Sequence, residues 1–102
     1  MTYIESLNAL TDPRRRSLFE ALAAQPMSVA ELSKTQPVSR PAVSQHLKVL
    51  ENAGLVTVTP QGNRRIYAAN RDGLLPLRDY IDSFWDDALT AFANHIKSTE
   101  GK

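Results

Sequence analysis

Apolar positions along this chain recur at helical spacing in five places and alternate in one. Tyr3, Leu7 and Leu10 stand four and three apart, which predicts an amphipathic helix over residues 2–10, too short to be stable without a partner surface. Asp12-Pro13 supplies an N-cap followed by proline at the first helical position, and the helix it opens turns Leu18, Phe19 and Leu22 inward and ends before Pro26. Ser28-Val29-Ala30-Glu31 is a capping box, with Ser at the N-cap and Glu three residues on. It starts about two turns that offer Val29, Ala30 and Leu32 for burial and stop at Pro37. After a short connection Ser39 caps the next helix, Pro41 sits in its first turn, and Gly54 is the left-handed residue that ends it. Val43, Leu47 and Leu50 mark its buried face; at ~100° per residue Gln45, Lys48 and Asn52 lie on the opposite one. Residues 55–59 alternate and are rich in β-branched types, Pro60-Gln61-Gly62-Asn63 is turn chemistry, and residues 64–68 read as the return strand. Asp72 caps a first turn through Gly73 to Leu75, and Pro76 opens a long last helix. Its stripe is Leu77, Ile81, Phe84, Ala88, Phe92 and Ile96, widened by Trp85 and Leu89.

Two short helices with a short connection form the helix-turn-helix pattern, and a hairpin with arginines at its tip directly after the second is a wing. The predicted fold is mostly α with a β-hairpin, in the order α-α-α-α-β-β-α, as one domain over residues 1–102. Within it, residues 28–54 are the helix-turn-helix and 55–69 the wing; 1–11 and 72–98 are dimerisation helices. One small domain cannot bury so long an apolar stripe. Tyr3, Leu7 and Leu10, with Leu77, Ile81, Phe84, Trp85, Ala88, Leu89 and Phe92, are therefore expected to form a two-fold interface. The alternative is a last helix packed wholly on its own domain.

The 102 residues suit one modest core, and 42% hydrophobic with 23% charged residues is ordinary for a globular chain. Net charge is only +1, but it is unevenly spread. Residues 34–71 hold Lys34, Arg40, Lys48, Arg64, Arg65 and Arg71 against Glu51 alone, whereas residues 72–102 carry a net −3. A basic middle suits a polyanion, and an acidic tail should point away from it. Arg14, Arg15 and Arg16 stand at a helix N-terminus, the unfavourable end for cations. Phosphates nearby would ease that; pairing of Arg16 with Glu20 is the alternative. The absence of cysteine excludes disulfides and thiolate chemistry, no apolar run approaches a membrane span, and no signal peptide opens the chain, so a cytoplasmic location is expected.

The segment VSRPAVSQHLKVLENAGLV, followed by GNRRIY and preceded by ALTDPRRRSLFEAL, resembles the ArsR (ArsR/SmtB) family of winged helix-turn-helix repressors. The likeness is close over roughly residues 5–70 and loose in the tail. It implies a homodimeric bacterial repressor on a double-stranded DNA operator. Its recognition-helix positions fall on Ser39, Arg40, Ser44, Gln45, His46 and Lys48, and its wing positions on Asn63, Arg64 and Arg65. The dimer it implies is built from the first and last helices. His46 lies at the edge of the buried face, where a packing or capping role competes with a phosphate contact.

Many relatives in that family release DNA on binding metal. The thiolate site it places before the recognition helix needs cysteines, and residues 29–33 have none. A second site would use ligands on the last helix shared across a dimer. Asp82 and His95 have the separation of two of them, but their partners would be Phe84 and Ser98, which do not suit zinc. The chain is thus expected to resemble members without metal motifs and to need no cofactor. No nucleophile elbow, P-loop, dinucleotide fingerprint or zinc-protease motif is present, so catalysis is not expected. Tyr80, Phe84, Trp85 and Phe92 could instead line a ligand pocket, and the identity of any small-molecule or protein effector stays open. The competing functional reading is a winged-helix interaction scaffold that does not bind specific DNA.

Overall fold

Every helix start in the first half of the chain is made by a short polar side chain that takes orphan backbone N–H groups. The computed structural model describes the backbone of residues 2–100 and the side chains of residues 2–97; Met1 of the expected 1–11 stretch lies outside the described residues. Thr2 and Glu5 form a capping box that opens α1 (Tyr3–Thr11), a signal the apolar spacing alone does not register. Asp12 accepts from the N–H groups of Arg14 and Arg15 and opens α2 (Pro13–Ala24). Ser28 and Glu31 exchange both capping-box bonds at the start of α3 (Val29–Thr35). Ser39 accepts from Ala42 N–H at 3.3 Å and opens α4 (Arg40–Asn52), with Pro41 in its first turn.

α4 ends as its glycine requires. Gly54 has φ +76°; its N–H donates to the Glu51 carbonyl and the Leu55 N–H to the Leu50 carbonyl, each at 2.9 Å. These are the two bonds of a Schellman cap. The chain then enters a three-stranded antiparallel sheet in the order β1-β3-β2: β1 (Met27–Ser28), β2 (Val56–Gln61) and β3 (Arg64–Ala69). Two details depart from the expected hairpin. β1 adds a third strand, pairing Met27 with Tyr67 and Ser28 with Ile66, and two residues leave no alternation to read. The turn is also shorter than expected: Pro60 pairs with Arg65 and Gln61 with Arg64, so only Gly62 and Asn63 bridge the strands. Gly62 has the positive φ, +63°, that such a two-residue loop uses.

The core lies between α2, α3, α4 and the base of the sheet. Leu18, Leu32, Val43, Leu47, Leu50 and Leu55 are wholly buried, joined by Leu22 and Val56, with Phe19 packed against them. Leu55, at the predicted start of the wing, is therefore a core residue ahead of the strand.

After β3 a 3₁₀ turn (Arg71–Leu74) leads into α5 (Leu75–Glu100). Asp72 does not cap it, because Asn70 occupies the N-cap and its side chain turns away to donate to the Gly54 carbonyl at 2.9 Å. Asn70 N–H also donates to the Leu55 carbonyl, at 2.7 Å. Gly73 is buried against the same turn: a Cβ built there would stand 2.0 Å from the Gly54 oxygen. Ser6 completes the junction by donating its hydroxyl to the Gly73 carbonyl, 3.1 Å away in a buried setting.

α5 runs beyond this core. From Ile81 to Lys97 every residue is exposed. The radius of gyration is 19.1 Å, against about 13 Å for a compact chain of this size. Near the start of α5, Tyr80 stacks on Tyr3 of α1 with ring centroids 4.0 Å apart, and Phe84 meets Tyr80 edge-on.

Two predictions follow from these contacts. Gly73→Ala drives a methyl into a backbone carbonyl that cannot swing aside, so it should lower unfolding stability in urea by about 3 kcal/mol or more; an unchanged midpoint would mean that the junction yields. The second concerns acid. Asp12 is held below the ordinary carboxylate range chiefly by the Arg14 N–H, and Glu31 by the Ser28 N–H and hydroxyl with help from the Arg64 charge. Because both folded-state values are lowered, the stability they add is complete above the unfolded range, about pH 4, and is lost as pH falls through the folded values. The variant carrying Asp12→Asn and Glu31→Gln, which retains both caps, should lose less stability between pH 6 and pH 3 than the parent.

Candidate nucleic-acid interface

The outward face of α4 follows from its buried one. With Val43, Leu47 and Leu50 pinned inward, Arg40, Ser44, Gln45 and Lys48 are all exposed along one side, and Ser39 is exposed at the start. His46 is half-buried at the margin, where the helical spacing puts it. The connection ahead of α4 is held from behind. Ser17 of α2 donates its hydroxyl to Gln36 Oε1 at 2.9 Å, and Val38 packs on the core. Asn52 is exposed as well, and it lines a separate cleft of about 330 Å³ with Glu5 and Asn8 of α1, Arg15 of α2, and Val49.

The wing supplies the other half. Asn63, Arg64 and Arg65 are exposed at the β2–β3 turn and just after it. Arg64 folds back towards α3. Its Nη2 donates to Glu31 Oε1 at 2.6 Å and to Ser28 Oγ at 3.2 Å, while both charged side chains stay about half exposed. A cleft of about 320 Å³ lies between wing and helices, and Ser44 of α4 lines it together with Ser28, Ala30, Arg64, Arg65 and Tyr67. The fold thus brings Ser44 together with the wing arginines. Ser28 and Glu31 belong to the same neighbourhood. Their capping box is visible in the sequence, but the reach of Arg64 across 33 positions is not.

Two members of the arginine run at residues 14–16, Arg15 and Arg16, are engaged by α1. Arg15 Nε donates to the Ala9 carbonyl at 2.7 Å and its Nη2 to the Asn8 carbonyl; Arg16 Nη1 donates to the Leu10 carbonyl at 3.0 Å. These are the orphan carbonyls at the C-terminus of α1, the end of a helix that favours cations. The arginines are badly placed for α2 and well placed for the helix before it.

The expected interface residues of α1 and α5 differ in exposure. Tyr3, Leu10 and Leu77 are half-buried, whereas Leu7, Ile81, Phe84, Trp85, Ala88, Leu89 and Phe92 are exposed, Trp85 to 65% and Phe92 to 63%. Asp82 and His95 stand about 20 Å apart along α5 at 1.5 Å per residue, so one ion could be reached by both only from two copies. Phe84 offers no donor, and the Ser98 side chain lies outside the described residues. Among the described residues, no three His, Asp or Glu side chains converge as a metal site.

Comparison with known proteins agrees with this geometry. Residues 12–58, from the cap of α2 to the middle of β2, match the profile of the bacterial regulatory protein, arsR family. The HTH-type transcriptional regulator Rv2034 of Mycobacterium tuberculosis is 52% identical over 90 residues, covering 88% of this chain and 84% of that protein. The arsenical resistance operon repressor of Staphylococcus xylosus is 31% identical over 80 residues, covering 78% of this chain and 73% of the repressor. Among solved structures, an ArsR-like transcriptional regulator from Rhodococcus sp. RHA1 superposes with a TM-score of 0.76 at 29% identity, covering 90% of each chain. A capped helix pair, a wing that shares a cleft with the second helix, and identity that runs through nine-tenths of the chain have one common explanation: the chain belongs to the arsR family of bacterial regulatory proteins, DNA-binding transcriptional regulators with a winged helix-turn-helix fold and not enzymes.

Proposed function

We propose that this regulator is a homodimeric repressor that occupies a pseudo-palindromic operator and so blocks the promoter it overlaps. The observation that carries the reading is the shared side of α4 and the wing. Ser44, Arg64 and Arg65 line one cleft, and Arg40, Gln45 and Lys48 are exposed on the same helix. A helix of this width fits the major groove, and exposed arginines on a hairpin beside it meet phosphates or the minor groove. Gln45 is assigned to base readout, since glutamine can bond adenine through two contacts. Ser39, Arg40, Ser44, His46 and Lys48 flank it on bases or phosphates, and Asn63, Arg64 and Arg65 anchor the wing.

Two copies are required for two half-sites. The apolar side of α5, from Ile81 to Ile96, is uncovered in a single chain, and large contiguous apolar patches mark interaction surfaces. Pairing through α1 and α5 would set two α4 helices about 34–36 Å apart, one turn of DNA. Metal does not enter this reading. α3 carries no cysteine, and Phe84 stands where a zinc ligand would be needed. Arsenical resistance, named for a relative, is not carried over for that reason. No described helix is long and apolar enough to cross a membrane, and a DNA-bound repressor works in the cytoplasm.

A gel shift on the chain's own upstream DNA at two salt concentrations tests the reading. Specific, salt-sensitive binding supports it, whereas no preference over genomic fragments would make the chain an interaction scaffold. Gln45→Ala should cost about 1–3 kcal/mol of base discrimination at one position per half-site; equal weakening on all sequences would remove its readout role. Leu89→Arg places a charge in the proposed interface. By sedimentation it should yield monomers, with operator affinity reduced at least tenfold and the monomer fold intact; a dimer that persists would move the interface elsewhere.

A further inference from the structure

Arg64 is the wing cation nearest the helix-turn-helix, yet it is already engaged. Its Nη2 lies 2.6 Å from Glu31 Oε1 and 3.2 Å from Ser28 Oγ. That is the short, charge-assisted geometry a phosphate oxygen would otherwise take. Glu31 is itself fixed, because its carboxylate accepts the Ser28 N–H at 3.0 Å as part of the capping box. The acceptor is therefore preorganised beside Ser28 and Arg64, which line the cleft together with Ser44 and Arg65.

We infer that Glu31 is an internal stand-in for a DNA phosphate: it neutralises Arg64 in the free protein and so restrains the affinity of the wing for any DNA. The inference rests on the assignment of Arg64 to phosphate contact. Phosphate affinity comes largely from counterions released when a cation replaces them. An arginine that must leave a carboxylate to meet a phosphate exchanges one ion pair for another, so its net gain is smaller by the pair it breaks. Arg65, with no such partner among the described residues, keeps the full effect. The restraint is indifferent to sequence, because neither group reaches a base in this role. It lowers binding to operator and to unrelated DNA by the same factor, and shortens the time the free protein spends on non-operator sites.

The test uses full-length chain and compares Glu31→Gln with the parent, and Glu31→Gln with the double variant Glu31→Gln/Arg64→Ala. Glutamine serves in a capping box as glutamate does, so α3 keeps its start and only the charge is lost; an unchanged far-ultraviolet circular dichroism spectrum checks this. Affinities for an operator fragment and an unrelated duplex are measured across salt concentrations. Glu31→Gln should bind both about two- to fivefold more tightly per half-site, the range for loss of one exposed ion pair. Its log–log salt slope should be at least as steep as the parent's. The double variant should lose the gain in affinity, with a slope shallower than that of Glu31→Gln by up to about 0.9 per subunit, one phosphate. If Glu31→Gln matches the parent in slope and affinity while the double variant has a shallower slope, the restraint is wrong and the wing contact stands. If the double variant keeps the slope of Glu31→Gln, Arg64 touches no phosphate and both readings fall.

Discussion

The close approach of two glycines holds the DNA-facing helix to the helix that projects from the domain. Gly54 ends α4 in the left-handed region, which turns its carbonyl outward, and Gly73 presents no side chain to that carbonyl. Asn70 donates to the same oxygen, and Ser6 of α1 donates to the carbonyl of Gly73. Four elements therefore meet at two backbone carbonyls: the end of α4, the 3₁₀ turn, α1 and the start of α5. Backbone contacts allow less adjustment than side-chain contacts, since no rotamer can relieve them. The orientation of α5 relative to α4 is consequently a fixed property of the chain. The proposed dimer, which sets two α4 helices on successive turns of DNA, needs that rigidity between α5 and α4.

The cations serve more than one purpose, and their neighbours decide which. Arg15 and Arg16 close the C-terminus of α1 and join it to α2. Arg64 binds wing to α3 through Glu31. Arg40, Lys48 and Arg65 stay in solvent on the face of α4 and the wing. A count of basic residues in the middle of the chain therefore overstates the charge available to a polyanion. The two arginines of the wing, adjacent in sequence, line one cleft, and Arg64 is the one paired with Glu31.

Local signals were legible in the sequence, and distant ones were not. The caps at Asp12, Ser28 and Ser39, the stop at Gly54 and the buried stripe of α4 all depend on residues within a turn or two of each other, and each appears where the spacing puts it. The family likeness added the wing positions. Four features escaped. β1 is too short to alternate. Pro60 reads as turn but pairs in an edge strand, where a missing N–H is tolerated. Asp72 looks like a cap but yields that place to Asn70, whose side chain is drawn to Gly54. The Arg64–Glu31 pair links residues far apart in sequence through a fold that has first to form. In each case the deciding partner is tertiary.

Pro60 has a further consequence. A slender hairpin held out in solvent presents an open edge, and open edges recruit other strands. β2 is the outer strand of this sheet, and its proline at position 60 has no N–H to offer an incoming chain. The opposite margin, β1, is two residues long. One ring and one truncated strand thus leave this sheet little open edge for a strand of another chain to join.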